Sequence, residues 1–281
     1  MAKRLKPIFL FALFFVLAHL PRVYSFSGND GKGRGYIGIC GGITSYYGDL
    51  GNNNSGEVPL MKKVGVQVQL EREIVKPVRV FGGLFLGNLV GDEISSHRNL
   101  NFKTSITSPY LGISVNLLSP FHGVTSKGFA LWLSGGVEYF LFTPQGDVKD
   151  ASGKPYYFWS DGSIRTQTEI PGHVNSATVI QRDYKYETDY RNLNIDNVSS
   201  YPKVAVGFPV GLSVEKKFSG RTSFRIGTIY HFTSTDYLDN ITANSIGSRQ
   251  GDSGNDRYLF VYAGLFYRIP FPFTRRCPAM K

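Results

Sequence analysis

Several features that would assign this sequence to a common class are missing from it. After residue 25, no apolar run approaches the roughly 20 residues that a membrane-spanning helix needs. The formal net charge is +10, but the Lys and Arg residues form no stripe interleaved with aromatics, which argues against nucleic-acid binding. The histidines show neither an HExxH motif nor a paired spacing, so no metal or other cofactor is expected.

The first 25 residues, "MAKRLKPIFLFALFFVLAHLPRVYS", have the pattern of a secretory signal peptide. A basic stretch at 3–6 precedes an apolar stretch at 7–20, and Val23 and Ser25 are small enough for a cleavage site. The pattern predicts cleavage between Ser25 and Phe26, in preference to a core helix. Because no cysteine lies near the cleavage point, a lipoprotein is not expected.

The rest of the chain alternates between large apolar residues and small or polar ones. In "VAVGFPVGLSVE" (204–215), every second residue from Val204 to Val214 is large and apolar, and the residues between them are small or polar. A period of two predicts a β-strand with two different faces. Eight such segments occur, at 36–47, 63–74, 78–89, 103–118, 129–142, 204–215, 222–233 and 257–269.

The connections between these segments alternate in length, which favours one closed fold. Those after the second, fourth and sixth segments are short, whereas the others are long, above all the loop at 144–200. An even number of strands with this alternation predicts an all-β fold, an eight-stranded antiparallel transmembrane outer-membrane β-barrel over 36–271. The alternative is a soluble β-sandwich. In the barrel, the segment 26–35, the short turns and the tail 272–281 lie in the periplasm.

The two faces of the strands predict where lipid and lumen lie. The apolar faces would meet lipid, bounded by a girdle of aromatics. These aromatics are Tyr46, Tyr47, Phe140, Phe142, Tyr230 and Phe232. The interior of eight strands is just wide enough for side chains to fill. We therefore expect a lumen closed by paired charges, with Glu138 and Glu215 pairing with Arg225 and Arg268.

Catalytic and redox chemistry have little support in the sequence. His231, Thr233 and Asp236 come near the predicted outer rim, but their spacing is not specific for a Ser/His/acid group, so we expect no enzyme. Cys40 and Cys277 are the two cysteines. The oxidising periplasm leaves three alternatives open: a disulfide between them, an intermolecular bond through Cys277, or two free thiols.

Four stretches resemble a family of Bacteroidota outer-membrane β-barrels. They are "GGITSYYGDL" (41–50), "RNLNFKTSI" (98–106), "EYFLFTPQG" (138–146) and the block at 201–240 that ends in "TDYLDN". The motif residues are Tyr47, Gly48, Asp49 and Leu50 in the first stretch and Thr235, Asp236, Tyr237, Leu238 and Asp239 in the last. Two features depart from the family pattern: Asn240 replaces a common acid, and the loop at 144–200 is longer.

The resemblance implies a non-enzymatic structural barrel without catalytic residues. The family includes the barrel subunit of the type IX secretion system, which is linked to a periplasmic ring of a lipoprotein and its partner, as well as barrels of unknown role. The implied partners are therefore outer-membrane lipid and the ring proteins of the secretion complex. The main alternative is a surface-exposed barrel that binds a ligand or host molecule through its long loops; a small pore and a lipid-modifying enzyme are weaker ones.

Overall fold

A computed structural model describes most of the predicted mature chain. The described residues are 34–50, 60–94, 99–120, 128–171, 177–192, 203–246 and 249–270. The predicted signal peptide with its cleavage site at Ser25 and Phe26, the tail 272–281 and Cys277 lie outside these residues. So do most of the predicted periplasmic segment 26–35 and parts of the loop 144–200.

Eight long strands form the body of the molecule. They are β1 (Arg34–Tyr47), β2 (Val64–Val75), β3 (Val78–Ile94), β4 (Asn99–Asn116), β5 (Phe129–Gly146), β10 (Val204–Lys217), β11 (Thr222–Thr233) and β12 (Arg257–Pro270). Every neighbouring pair is antiparallel. The barrel therefore extends from Arg34 to Pro270, close to the predicted 36–271.

The sheet closes on itself at two pairings between strands distant in sequence. β1 pairs with β12 along its whole length, from Arg34 opposite Pro270 to Tyr47 opposite Arg257. β5 pairs with β10 across the long loop between them. A closed antiparallel barrel leaves no strand edge without a partner, which hydrocarbon would not tolerate. The prediction of an eight-stranded all-β barrel is confirmed.

Short 3₁₀ turns and two-residue strands lie in the loops at one end of the barrel. A 3₁₀ turn at Leu60–Lys63 precedes β2, and another follows at Tyr190–Asn192. The loop after β5 contains the two-residue strands β6 (Tyr157–Phe158), β7 (Ile164–Arg165), β8 (Val179–Ile180) and β9 (Thr188–Asp189). β6, β7 and β8 form a small separate sheet, and β9 pairs antiparallel with the end of β5. Among the described residues, no helix has the length and apolarity to cross a membrane.

The outer wall of the barrel is apolar and exposed, as the alternation predicts. Phe208, Val210, Leu212 and Val214 of β10 are each between 46% and 53% exposed, whereas the glycines, proline, serine and glutamate between them are buried. The same alternation is present in β2 and β5. An apolar wall around a closed barrel is the surface that lipid covers in outer-membrane proteins. The chain is therefore an outer-membrane β-barrel.

The structure corrects the predicted aromatic girdle. Tyr46, Phe140 and Phe142 are at most 2% exposed and point into the barrel, where they fill its interior. Tyr47, Tyr230 and Phe232 do face outward, with ring centroids 6.0 Å apart between Tyr47 and Tyr230 and 4.9 Å apart between Tyr230 and Phe232. The error came from grouping aromatics by position along the strand, since neighbours on one strand point to opposite faces.

The loop lengths also differ from the prediction at two places. β3 and β4 continue their ladder to Ile94 opposite Asn99, so the predicted long loop between them shrinks to 95–98. The connection from β4 to β5 spans 117–128 and is longer. We call the end with 76–77, 117–128 and 218–221 the short-turn end. The opposite end, with 48–63, 95–98, 147–203 and 234–256, is the long-loop end.

The lipid-facing assignment predicts a position-dependent cost for charge. Val210 lies in the middle of β10 and points outward, so Val210→Arg should cost about 2–4 kcal/mol of unfolding free energy. Val75 also points outward but ends β2 at the short-turn end, so Val75→Arg should cost about 0–1 kcal/mol. Urea unfolding from lipid vesicles measures both. Equal costs at the two positions would contradict the assignment.

Candidate functional site

A four-residue ion cluster crosses the lumen near the short-turn end. Glu71 of β2, Arg79 of β3, Glu215 of β10 and Arg225 of β11 all project inward, and each is at most 4% exposed. Two carboxylates and two guanidiniums in this setting neutralise one another. Buried charges are tolerated only when they are paired in this way.

Both arginines bridge both glutamates. Arg225 donates from Nη1 to Glu71 Oε1 at 2.5 Å and from Nη2 to Glu215 Oε2 at 2.6 Å. Arg79 Nη1 lies 2.8 Å from Glu71 Oε2 and 3.0 Å from Glu215 Oε2. The cluster therefore ties four strands together across the lumen, which no backbone hydrogen bond can do.

Aromatic rings hold the two guanidiniums in place. The Arg79 guanidinium lies between the rings of Tyr36 and Trp132, with Cζ 4.1 Å and 4.0 Å from their centroids. The Arg225 guanidinium lies 3.8 Å from the Phe266 centroid. Cation–π contacts of desolvated Arg add to the stability of the cluster and fix its geometry.

A second polar group lies nearer the long-loop end. Glu138 of β5 accepts a hydrogen bond from Ser108 Oγ at 2.8 Å, and its Oε1 is 2.9 Å from Nδ1 of His231. The imidazole stacks on the Tyr258 ring, with centroids 4.1 Å apart and planes 9° apart. From this level toward the long-loop end, the interior is filled by aromatic rings, among them Phe102, Phe140 and Phe142.

Between the two polar groups lies a cavity of about 30 Å³. Its lining includes Gln67, Trp132, Arg225, His231 and Tyr262. The indole Nε1 of Trp132, Nε2 of His231 and Nε of Arg225 are buried without a protein partner among the described residues. A polar space of this size suits one or two water molecules bonded to such groups. In the part of the chain that the structure describes, the lumen is thus largely filled by side chains.

The structure brings together only part of the predicted lumen network. Glu215 and Arg225 are paired, but Glu138 contacts His231 and Ser108 in a separate group. Arg268 points inward at the very end of β12, where it is half-buried and takes no part in the described ion cluster. Its predicted pairing with Glu138 or Glu215 is wrong because both carboxylates lie deeper in the barrel.

Sequence reasoning missed Arg79 altogether. The third strand is apolar on both faces, so its alternation did not assign Arg79 to the lumen. A signal was nevertheless available. Arg79 is the second residue of β3, immediately after the tight turn 76–77, so it lies almost opposite Glu71 and Glu73 of the preceding strand. Hairpin geometry of this kind predicts cross-strand charge pairs.

The two family-like motifs meet at the long-loop end. Leu50 N donates to Asp239 Oδ2 at 3.2 Å, and Leu238 N donates to Asp256 Oδ2 at 2.8 Å. Tyr46 Oη also donates to Asp256. A side chain in place of Gly48 would overlap the Tyr46 hydroxyl and Asp256, which explains the glycine of the first motif. The two stretches, almost 190 residues apart, therefore form one junction.

Acidic residues crowd this junction and change one another's ionisation. Asp49, Asp236 and Asp252 each place one carboxylate oxygen within 4.8 Å of the others. Burial, with the charges of Asp49, Asp239 and Asp252, raises the pKa of Asp236 to about 7. Burial also raises the pKa of Asp239 to about 7. Hard cations such as Ca²⁺ take carboxylate ligands, but an acidic cluster alone does not define a metal site, and protonation can equally relieve the repulsion.

The predicted rim residues do not assemble into a catalytic group. His231 is bound to Glu138 inside the barrel, and Thr233 Oγ1 donates to the carbonyl of Asp256 at 2.6 Å. Asp236 belongs to the acidic junction. Cys40 is 1% exposed, points into the lumen and forms no disulfide with any described residue. Its pairing with Cys277 stays a prediction.

The ion cluster predicts a large penalty for removing one arginine. Arg225→Met leaves Glu71 and Glu215 with a single guanidinium and should lower the free energy of unfolding by about 3–5 kcal/mol. Arg221→Met, at an exposed turn position on the same strand pair, should change it by less than about 0.5 kcal/mol. Urea titration measures both. Adding Glu215→Gln to Arg225→Met should recover part of the loss; no recovery would contradict charge pairing as the cause.

The acidic junction predicts that the long-loop end loosens as pH rises. Asp236 and Asp239 bind protons more tightly when folded than in an unfolded chain, so stability at the junction falls between pH 4 and pH 7. Amide hydrogen exchange of 234–246 should therefore speed up, after correction for intrinsic rates, from pH 5.5 to pH 8. Asp236→Asn should flatten this dependence. Asp161→Asn should not, because hydrogen bonds from Ser163 lower the pKa of Asp161 to about 2.

Comparison with known proteins adds little beyond the architecture. No protein-family model and no curated protein matches the sequence. Among solved structures, the chain is similar to the attachment invasion locus protein Ail of Yersinia pestis (10% identity, 85% of this chain, 99% of that chain, TM-score 0.40). It is also similar to Neisserial surface protein A (8% identity, 86% of this chain, 100% of that chain, TM-score 0.41). A third similar structure is that of a major outer membrane protein of Thermus thermophilus (12% identity, 84% of this chain, 99% of that chain, TM-score 0.41). At this level of similarity no function is carried over.

Proposed function

We propose that this protein is a non-enzymatic structural barrel that anchors a protein assembly in the outer membrane. The observation that carries the proposal is the filled lumen. The interior charges of Glu71, Arg79, Glu215 and Arg225 pair with one another, and aromatic rings fill much of the remaining described interior. Because the inward-facing side chains stabilise the barrel itself, the protein acts through its surfaces and not by conducting solutes.

The geometry of the rim supports a role without catalysis. A nucleophile and its base must lie within hydrogen-bond reach of each other, with a third group orienting the base. Here the imidazole of His231 is turned into the barrel toward Glu138, and the hydroxyl of Thr233 serves a backbone carbonyl. His231, Thr233 and Asp236 therefore take part in three separate sets of contacts and do not form one catalytic group.

The assembly that we propose is the type IX protein secretion complex, with the barrel linked to its periplasmic lipoprotein ring. The support is the sequence resemblance at 41–50 and 201–240. The contact of Leu50 with Asp239 adds to it, since the two motif segments form one structural unit. In the proposed orientation the short-turn end and both chain ends face the periplasm, and the long-loop end faces outward.

A tail deletion tests this proposal. Residues 274–281 carry Arg275, Arg276, Lys281 and Cys277 beyond the last strand. Deleting them should leave a folded barrel, shown by heat-dependent gel migration, but should release the ring lipoprotein from the barrel purified from detergent-solubilised outer membrane. Cys277→Ser in the full chain separates a covalent link from a charge contact.

The outcomes of this experiment are distinct. Loss of the lipoprotein on deletion supports the anchoring role, and retention by Cys277→Ser assigns the contact to charge. If the lipoprotein never co-purifies with the full chain, or if it stays bound to the deleted one, the anchoring proposal is wrong in this form.

A surface-binding barrel is the second candidate, and one observation favours it. Lys62 Nζ lies 5.2 Å and 5.0 Å from the ring centroids of Tyr184 and Tyr186 in the long loop. Both tyrosines have positive φ values, 54° and 56°. Bulky residues rarely adopt this conformation, and such strain is concentrated at functional sites. A barrel lacking 150–180 that loses adhesion to a surface ligand, while it keeps its periplasmic partner, would favour this candidate.

A further inference from the structure

The turn between β10 and β11 carries a concentrated positive charge on the outward-facing wall at the short-turn end of the barrel. Lys216 ends the outward-facing row of β10, and Lys217 and Arg221 follow at exposed positions. Around them lie exposed aromatic rings. We call this set the cationic–aromatic patch; it comprises Lys216, Lys217, Arg221, Phe129, Phe218 and Tyr267.

The cations of the patch lie against aromatic side chains of the outer wall. Lys216 Nζ is 3.9 Å from the Phe129 ring centroid. Arg221 Nη1 donates to Tyr267 Oη at 3.5 Å. Phe218 is 67% exposed and packs on Phe224, with centroids 6.3 Å apart. Charge and exposed apolar surface are thus interleaved at one level of the wall, and are not separated into two areas.

The neighbouring sequence supplies no acid to neutralise the patch. No Asp or Glu occurs in 216–235 or in 257–281. The preceding acid, Glu215, is buried in the lumen, where Arg79 and Arg225 already bind it.

The long-loop end differs in this respect. Some of its cations pair with acids two to four residues away in the chain, as in Lys185 with Asp183 at 2.8 Å and Arg165 with Asp161 at 2.9 Å. The β10–β11 turn, in contrast, carries its cations with no acid in 216–235. Elsewhere on the same rim, Arg34 lies 3.8 Å from Glu73. A cationic turn such as the one between β10 and β11 attracts an anionic surface.

We propose that the cationic–aromatic patch binds the headgroups of anionic phospholipids in the leaflet at the short-turn end. The aromatic rings lie at the boundary of the hydrocarbon, and the long Lys and Arg side chains extend from the apolar wall to the phosphates. An acidic protein would not need exposed aromatics on the lipid-facing wall. The proposal does not depend on the secretion role.

Native mass spectrometry of the full chain in a neutral detergent tests this proposal. Phosphatidylglycerol and phosphatidylcholine are titrated separately, and the ratio of their apparent dissociation constants is the measured quantity. Phosphatidylglycerol should bind roughly tenfold or more tightly, since each basic side chain near a membrane surface favours anionic lipid. Lys216→Gln/Lys217→Gln/Arg221→Gln should bring the ratio close to one.

The matched control is Lys149→Gln/Lys154→Gln/Lys185→Gln, which removes the same charge from exposed positions of the long loop. This variant should keep the preference, as should Lys216→Arg/Lys217→Arg, which keeps the charge. Heat-dependent gel migration verifies that each variant is folded. Equal loss in the control would overturn the proposal in favour of net charge. An unchanged lipid preference in the patch variant, with loss of an acidic co-purifying protein, would overturn it in favour of a protein partner.

Discussion

A carboxylate that points into an eight-stranded barrel has almost no water around it, so it must find its counter-charge on another wall of the same barrel. Glu71 and Glu215 meet this constraint through Arg79 and Arg225, which reach across the lumen from two further strands. Much else follows from this pairing. The guanidinium groups of the arginines pack against the aromatic rings of Tyr36, Trp132 and Phe266. With these rings in place, the described side chains leave only a small cavity, of about 30 Å³, in the lumen beside the cluster.

The outer face of the barrel could be predicted from the sequence because it depends on a local rule. Side chains alternate along any strand, so the exposed positions of β2, β5 and β10 were assigned correctly without knowledge of their neighbours. The inner contacts depend on which strands face one another across the lumen and at what height. That information comes from register, which is why Arg268 was paired wrongly and Arg79 was missed. The third strand shows the limit most clearly, since both of its faces are apolar.

The ends of the strands were harder to predict than their centres. Outside the hydrocarbon, a hairpin can continue with polar residues, and β3 and β4 do so through Asp92 opposite Asn101. The apolar alternation in the sequence ends there, although the pairing between the two strands continues. The motif segments at 47–50 and 235–239 were recognised only by resemblance. Their contact, through Leu50 and Asp239, could not have been derived from either stretch alone.

The pairing of β1 with β12 has a consequence for the order in which the molecule can form. These two strands contain the first and last residues of the barrel, and their contacts have the greatest sequence separation in the fold. Hairpins such as β2–β3 can form early, because closing a small loop costs little entropy. The seam between β1 and β12 can join only after every other strand has been synthesised. Cys40 lies at this seam opposite Gly264, where an added side chain would overlap its sulfur. Until the seam joins, β1 and β12 remain open edges, which is the state of this chain most exposed to aggregation.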